Sequence, residues 1–153
     1  MFPLPLTWFS FEVLLTPEEV ADRLAEAVEP LRIEVPILNA LLGEREHRPL
    51  AGSVSDPAFE VRRVTPGWHN SFRPVLYGRI SDLGPGRSRV KVVATLHPVV
   101  AVFAALCCAA DVALAPHPGF GVGIMVVMTV AGFWAEVRPS RELLQDVLSE
   151  TEP

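Results

Sequence analysis

The spacing of apolar and polar positions changes character several times along the chain, and each change marks an element. Residues 6–15 gather aromatic and branched side chains, among them Trp8, Phe9, Phe11 and Val13, and predict a strand. Thr16-Pro17-Glu18-Glu19 follows: Thr16 suits a helix cap, Pro17 the first helical position, and Glu19 closes a capping box. Val20, Leu24, Ala27 and Val28 recur at helical spacing, so this helix is expected to run to about Glu29 and to stop at Pro30. Residues 31–43 are ambiguous, with room for a short helix opened by Pro36 and ended by Gly43.

From about Pro49 the period changes to that of strands. Residues 50–54 and 59–64 flank Ser55-Asp56-Pro57-Ala58, a plausible hairpin turn. Residues 73–82 form a third strand, Leu83-Gly84-Pro85-Gly86 turns the chain, and residues 88–96 form a fourth. The expected class is α+β. These four strands make an antiparallel meander, the first strand joins it at an edge or in the centre, and the helix packs on one face.

Beyond Pro98 the alternation disappears. Residues 98–115 and 120–135 are two continuous apolar segments separated by the breaker Pro116-His117-Pro118-Gly119. As helices of 16–18 residues they span about 24–27 Å at roughly 1.5 Å per residue, at the short edge of a hydrocarbon core of about 30 Å. They are apolar around their whole circumference, unlike a surface helix with one polar stripe. Gly119, Gly121, Gly123, Ala131 and Gly132 supply small residues for close helix packing. A transmembrane helical hairpin over 98–137 is therefore expected, preceded by a cytosolic α+β domain over 1–97. Ser140 then caps a C-terminal helix within 138–153, whose face of Leu143, Leu144, Val147 and Leu148 docks back on the domain.

Composition agrees with the hairpin, and charge orients it. Half of the 153 residues are apolar and 20% are charged, and the mean hydropathy is +0.32. Between Pro98 and Val137 the only formal charges are Asp111 and Glu136. Residues 1–60 hold four basic against eleven acidic side chains, whereas residues 61–97 hold seven basic against Asp82 alone. Basic residues flank the apolar segments at Arg87, Arg89, Lys91, Arg138 and Arg141, and the connecting loop has none. By the positive-inside rule both termini of a two-pass protein of the cell membrane face the cytoplasm. The N-terminus, with no basic region and with Pro3 and Pro5, does not read as a signal peptide. The basic block also suits anionic lipid headgroups. It lacks the interleaved aromatics of a nucleic-acid site, and the chain as a whole is acidic, so nucleic acid is not an expected partner.

Catalytic chemistry is not legible. The serines lack a nucleophile-elbow context, no glycine-rich phosphate loop is present, and the histidine spacing suits no metal. Cys107 and Cys108 are neighbours inside an apolar segment and read as small helix residues, not a disulfide. No enzyme activity, cofactor or metal is expected. Three polar residues stand out. Asp111 is an ionisable group in an apolar helix, at the level of Gly123 on the partner helix, and such groups are costly and often functional. It fits an interfacial carboxylate, a proton or cation contact, or a contact with another membrane subunit. His97 and Glu136, at the cytosolic ends of the two helices, are expected at one depth and within reach of each other.

The stretch Gly67-Trp68-His69-Asn70-Ser71-Phe72-Arg73-Pro74-Val75-Leu76-Tyr77-Gly78-Arg79-Ile80, with Gly52 and Phe59-Glu60-Val61-Arg62-Arg63 before it and Leu96-His97-Pro98 after it, resembles a family of uncharacterised small bacterial membrane proteins. The resemblance covers about residues 50–148. It implies an N-terminal strand and helix, an N-S-F-x-P-x-x-x-G-x-I segment, two hydrophobic helices and a short C-terminal helix, with no known activity. His69 departs from the basic residue expected there. In physical terms Asn70 and Ser71 bond their own backbone and turn the chain, Phe72 anchors the turn, Pro74 suits an edge or first strand position, and Gly78 completes the motif. Membrane lipid, with a protein partner or a second copy of the chain, is the expected company. A subunit or transporter-like element using Asp111, and a soluble α+β protein burying its hairpin or an apolar ligand, are the alternatives.

Overall fold

The computed structural model describes residues 4–30, 48–64, 72–114 and 120–149. It is α+β: a six-stranded mixed sheet, with two helical segments on one of its faces and a further apolar helix leaving one end. The strands are β1 (Leu6–Val13), β2 (Val28–Pro30), β3 (Leu50–Ser55), β4 (Ala58–Arg63), β5 (Pro74–Gly84) and β6 (Arg87–Leu96). The helices are α1 (Pro17–Ala27), α2 (Pro98–Leu114) and α3 (Phe120–Ser149). Strand order is β1-β6-β5-β4-β3-β2.

The expected meander is present as β3 to β6, and β1 takes the edge beside β6. Its register sets Phe9 on Val92 and Phe11 on Val90, so alternate residues of β1 face the core. At its far end Glu12 accepts hydrogen bonds from Arg89 at 2.7 Å and Arg87 at 3.0 Å. The bond from Arg89 is the main reason its carboxyl is held below the usual carboxylate pKa.

The capping box at α1 is formed as expected. Thr16 Oγ1 accepts from the Glu19 amide at 3.3 Å, and the Thr16 amide donates to Glu19 Oε2 at 2.7 Å. The helix ends earlier than expected, at Ala27 instead of Glu29. Two causes act together. Glu29 precedes Pro30, and the proline ring disfavours helical geometry in the residue before it. Val28 is buried where it pairs with Leu50, and that pairing makes β2 a short parallel strand beside β3. Arg48 Nη1 closes the helix end by donating to the carbonyls of Ala25 and Val28, at 3.1 and 2.8 Å.

A second correction concerns α3. The separate C-terminal helix capped by Ser140 is instead the continuation of one 30-residue helix with Pro139 inside it. The reason lies in its buried face: Phe133, Val137, Ser140, Leu144 and Leu148 follow at intervals of four, three, four and four residues. One stripe thus crosses the proline without a break and packs against the sheet and α1. Pro139 lacks an N–H, and the carbonyl it leaves unpaired, four residues back, belongs to the exposed Ala135. The Ser140 hydroxyl, far from capping, is buried without a hydrogen-bond partner among the described residues.

Phe59 stands directly across from Gly78, and its ring occupies the space a Gly78 side chain would fill. That contact gives this glycine of the motif a packing role. Pro74 is the first residue of β5, where a missing N–H is tolerated even though β5 lies inside the sheet. Asn70, Ser71 and the ambiguous segment 31–43 lie outside the described residues.

Candidate functional site

One end of the sheet carries His97 and Glu136, two of the three polar residues the sequence singles out near the apolar segments. Leu50 pairs with Arg63 and Pro74 with Leu96, so these four residues mark a common edge. His97 and α2 continue directly from Leu96, and α3 meets Arg63 through Glu136. Both apolar stretches therefore leave the domain at this end, side by side, and touch again at their far ends.

The exposed surface of the two stretches is almost wholly hydrocarbon. On α2, Phe103 and Leu106 are 61% and 64% exposed, and on α3 Val127 is 63% exposed. α3 as a whole, from Gly121 to Ser149, is long and apolar enough to cross a membrane by length and composition, and very little of its most apolar 18-residue stretch is buried. α2, with 17 residues, falls short of the same length. One helix, not the expected two, meets the spanning criterion. Trp134, partly exposed and packed edge-on against Phe133 at 5.7 Å, lies where the apolar half gives way to charge, the position that indole favours at a bilayer boundary.

His97 and Glu136 do come to the same end of the sheet, but each has a different partner from the one expected. Glu136 is buried and accepts from Arg63 Nη1 at 3.4 Å. His97 caps α2: its carbonyl accepts from the Val100 and Ala101 amides, and its Nδ1 accepts from the Val99 amide at 3.3 Å. Sequence reasoning missed Arg63 because it took Arg62 and Arg63 only as part of the basic block before the apolar segments. Arg63 shares its face with Phe59 and Val61, and that period-two signal could have placed it under α3.

Asp111 lies opposite the start of α3, close to the level expected from the sequence. Its Oδ2 accepts from the Val122 amide at 3.2 Å, and its carboxylate fills the space a side chain on Gly121 would need. A helix start holds unpaired amides and partial positive charge. The carboxylate of one apolar helix thus caps the other. Asp111→Leu is expected to lower the thermal stability of the purified protein by about 1 kcal/mol, with Asp111→Asn losing less because an amide oxygen still accepts. Equal melting temperatures for wild type and the Leu variant would remove the capping role.

Of the motif residues, Phe72 is partly buried against the core, Pro74 opens β5, and Gly78 makes room for the Phe59 ring. Among the described residues no group of three His, Cys, Asp or Glu side chains is arranged to hold a metal. Compared with protein-family models, curated proteins and solved structures, the chain matches none.

Proposed function

We propose that this protein is a noncatalytic membrane-anchored module, held in the bilayer by α2 and the apolar half of α3, that binds a partner protein or lipid through its cytosolic sheet. The observation that carries this reading is the exposed apolar surface of both helices, with side chains such as Phe103, Leu106 and Val127 more than half exposed. Contiguous apolar surface on this scale is rare on soluble monomers, and the bilayer supplies the apolar surroundings these side chains lack.

Topology supports entry of both helices together. The second half of α3 contributes Val137, Leu144 and Leu148 to the same core as the sheet, so it stays on the domain's side. Whatever depth the first half of α3 reaches, α2 must lead the chain to it. At about 25 Å for α2, the pair suits a thinned or short-spanned bilayer better than a thick one. The basic residues at the sheet end support a cytoplasmic domain with both termini inside.

The outer sheet face supports the binding role. Trp8, Val93 and Tyr77 are cross-strand neighbours on β1, β6 and β5, and all three are exposed. A charged row lies beside them, with Lys91 opposite Arg79. The resemblance to small bacterial membrane proteins accords with the same reading. Fractionation of expressing cells is the test: the chain is expected in the membrane pellet, resistant to carbonate and released by detergent. Recovery in the supernatant without detergent would overturn the proposal.

A further inference from the structure

The rows of the outer sheet face change in chemistry with distance from the apolar helices, and strand pairing fixes their order. Leu96 is the last residue before the His97 cap of α2, so its level marks the end of the sheet from which the apolar stretches leave. Leu6 and Thr95 lie one residue away from that level. Trp8, Val93 and Tyr77 make the next row on this face, Ser10, Lys91 and Arg79 the third, and Glu12, Arg89 and Ser81 the fourth.

The rows nearest the helices are open and largely apolar. Trp8 is 77% exposed, and Leu6, Val93 and Tyr77 are exposed around it. Glu60, across from Tyr77 on β4, bounds this patch. The third row is cationic. Lys91 stands directly opposite Arg79, an arrangement that is unfavourable in isolation. Both side chains are exposed, and neither pairs with a carboxylate among the described residues. In the fourth row the charge is balanced, since Glu12 holds Arg89 and Arg87.

Hydrocarbon, then aromatic rings, then cations is the order met on leaving a bilayer. The lengths agree with it. α2 falls about 5 Å short of a hydrocarbon core of about 30 Å, which draws the sheet end toward the core by a similar distance. The Trp8 and Lys91 rows stand three and five residues along β6 from Leu96. At about 3.4 Å per residue they then lie about 5 Å and about 12 Å above the core. The first distance falls within a headgroup layer of about 5–8 Å. The second is within reach of its phosphates for side chains as long as lysine and arginine.

We infer that this end of the outer sheet face is itself part of the membrane contact, with Trp8, Val93 and Tyr77 in the headgroup layer and Lys91 and Arg79 on the phosphates of anionic lipid. The inference rests on the membrane reading above and makes lipid the occupant of this face. Lipid is favoured because α2 begins at Pro98, two residues after Leu96, so the patch stays beside whatever surrounds that helix.

The test uses the full chain carrying Cys107→Ala and Cys108→Ala, reconstituted in vesicles of phosphatidylcholine and phosphatidylglycerol, with one spin label at a time. Accessibility to oxygen and to a water-soluble nickel chelate gives the depth of each label. Phe103→Cys on α2 is expected to read hydrocarbon, Val93→Cys the headgroup layer, and Leu83→Cys, at the far end of β5, water. A water reading at Val93 with a hydrocarbon reading at Phe103 overturns the inference and leaves the membrane reading standing. A water reading at Phe103 removes the membrane reading itself. If Val93→Cys does not fold, Leu6→Cys in the same patch replaces it, with the same two outcomes. Each basic residue at the surface is worth about fivefold toward anionic lipid. Arg79→Gln with Lys91→Gln is therefore expected to lower the ratio of shielded to water-exposed Val93 label by about thirtyfold. An unchanged ratio overturns anionic lipid as the occupant. Shielding of Val93 in native membranes but not in the vesicles also overturns it, in favour of a protein partner.

Discussion

Phe133→Ala is expected to lower the stability of the purified protein by about 3–5 kcal/mol, the range for removing a buried aromatic ring from a packed core. Phe133 is fully buried and is the largest such side chain among the described residues. It also sits at the point where α3 changes from an apolar wall to a helix docked on the sheet. Its loss therefore opens a cavity and weakens the attachment of the apolar half of α3 to the domain. Phe103→Ala on α2 is the control, because the same ring is removed from a position outside the domain core. That variant is expected to stay within about 0.5 kcal/mol of wild type in detergent. Thermal unfolding followed by near-ultraviolet circular dichroism separates them, and equal losses would show that Phe133 is no more a core residue than Phe103.

Local rules read much of this fold from the chain. The Thr16–Glu19 capping box, the turn between β3 and β4, and the turn between β5 and β6 depend on residues a few positions apart, and each formed where those residues stand. Long-range pairing was harder. Nothing local announces that Val28 will seek Leu50 and convert a helix end into a parallel strand. Ser140 misled for a related reason: a serine ahead of a new apolar face reads locally as the cap of a separate helix. The stripe from Phe133 to Leu148 outweighs that local signal, because it belongs to the same core as the sheet. Arg63 is the same lesson in the candidate site, since its partner Glu136 is far away in sequence.

The apolar helices illustrate a different limit. Their hydrophobic character was plain from residues 98–135, whereas their length as spanning elements depends on where helices end, which sequence fixes only loosely. The polar residues within them were located well and partnered poorly. Asp111 was placed near its level on α3, yet its use as a cap for Val122 depends on helix geometry and not on residue type. His97 likewise turned inward to its own helix, where the Val99 amide was the nearer donor.

Breaking the Arg63–Glu136 pair is the other change expected to matter most, and its two halves should differ. Glu136 keeps 12% of its side chain exposed and Arg63 31%. Arg63→Met leaves a carboxylate in the more buried position with no cation beside it, and an uncompensated buried charge costs about 3–5 kcal/mol when burial is complete. The residual exposure reduces this, so a loss of about 2–3 kcal/mol is expected. Glu136→Leu should cost less, about 1 kcal/mol, because the longer arginine is better placed to turn its charge toward solvent. The double variant is expected to lie closer to wild type than Arg63→Met, since it removes both charges and leaves apolar side chains between β4 and α3. That pattern requires a coupling of about 1–3 kcal/mol between the two sites. Denaturant unfolding of the four proteins measures it directly. Simple additivity would mean that the two side chains meet without stabilising the junction, and that α3 is held to the sheet by its apolar stripe alone.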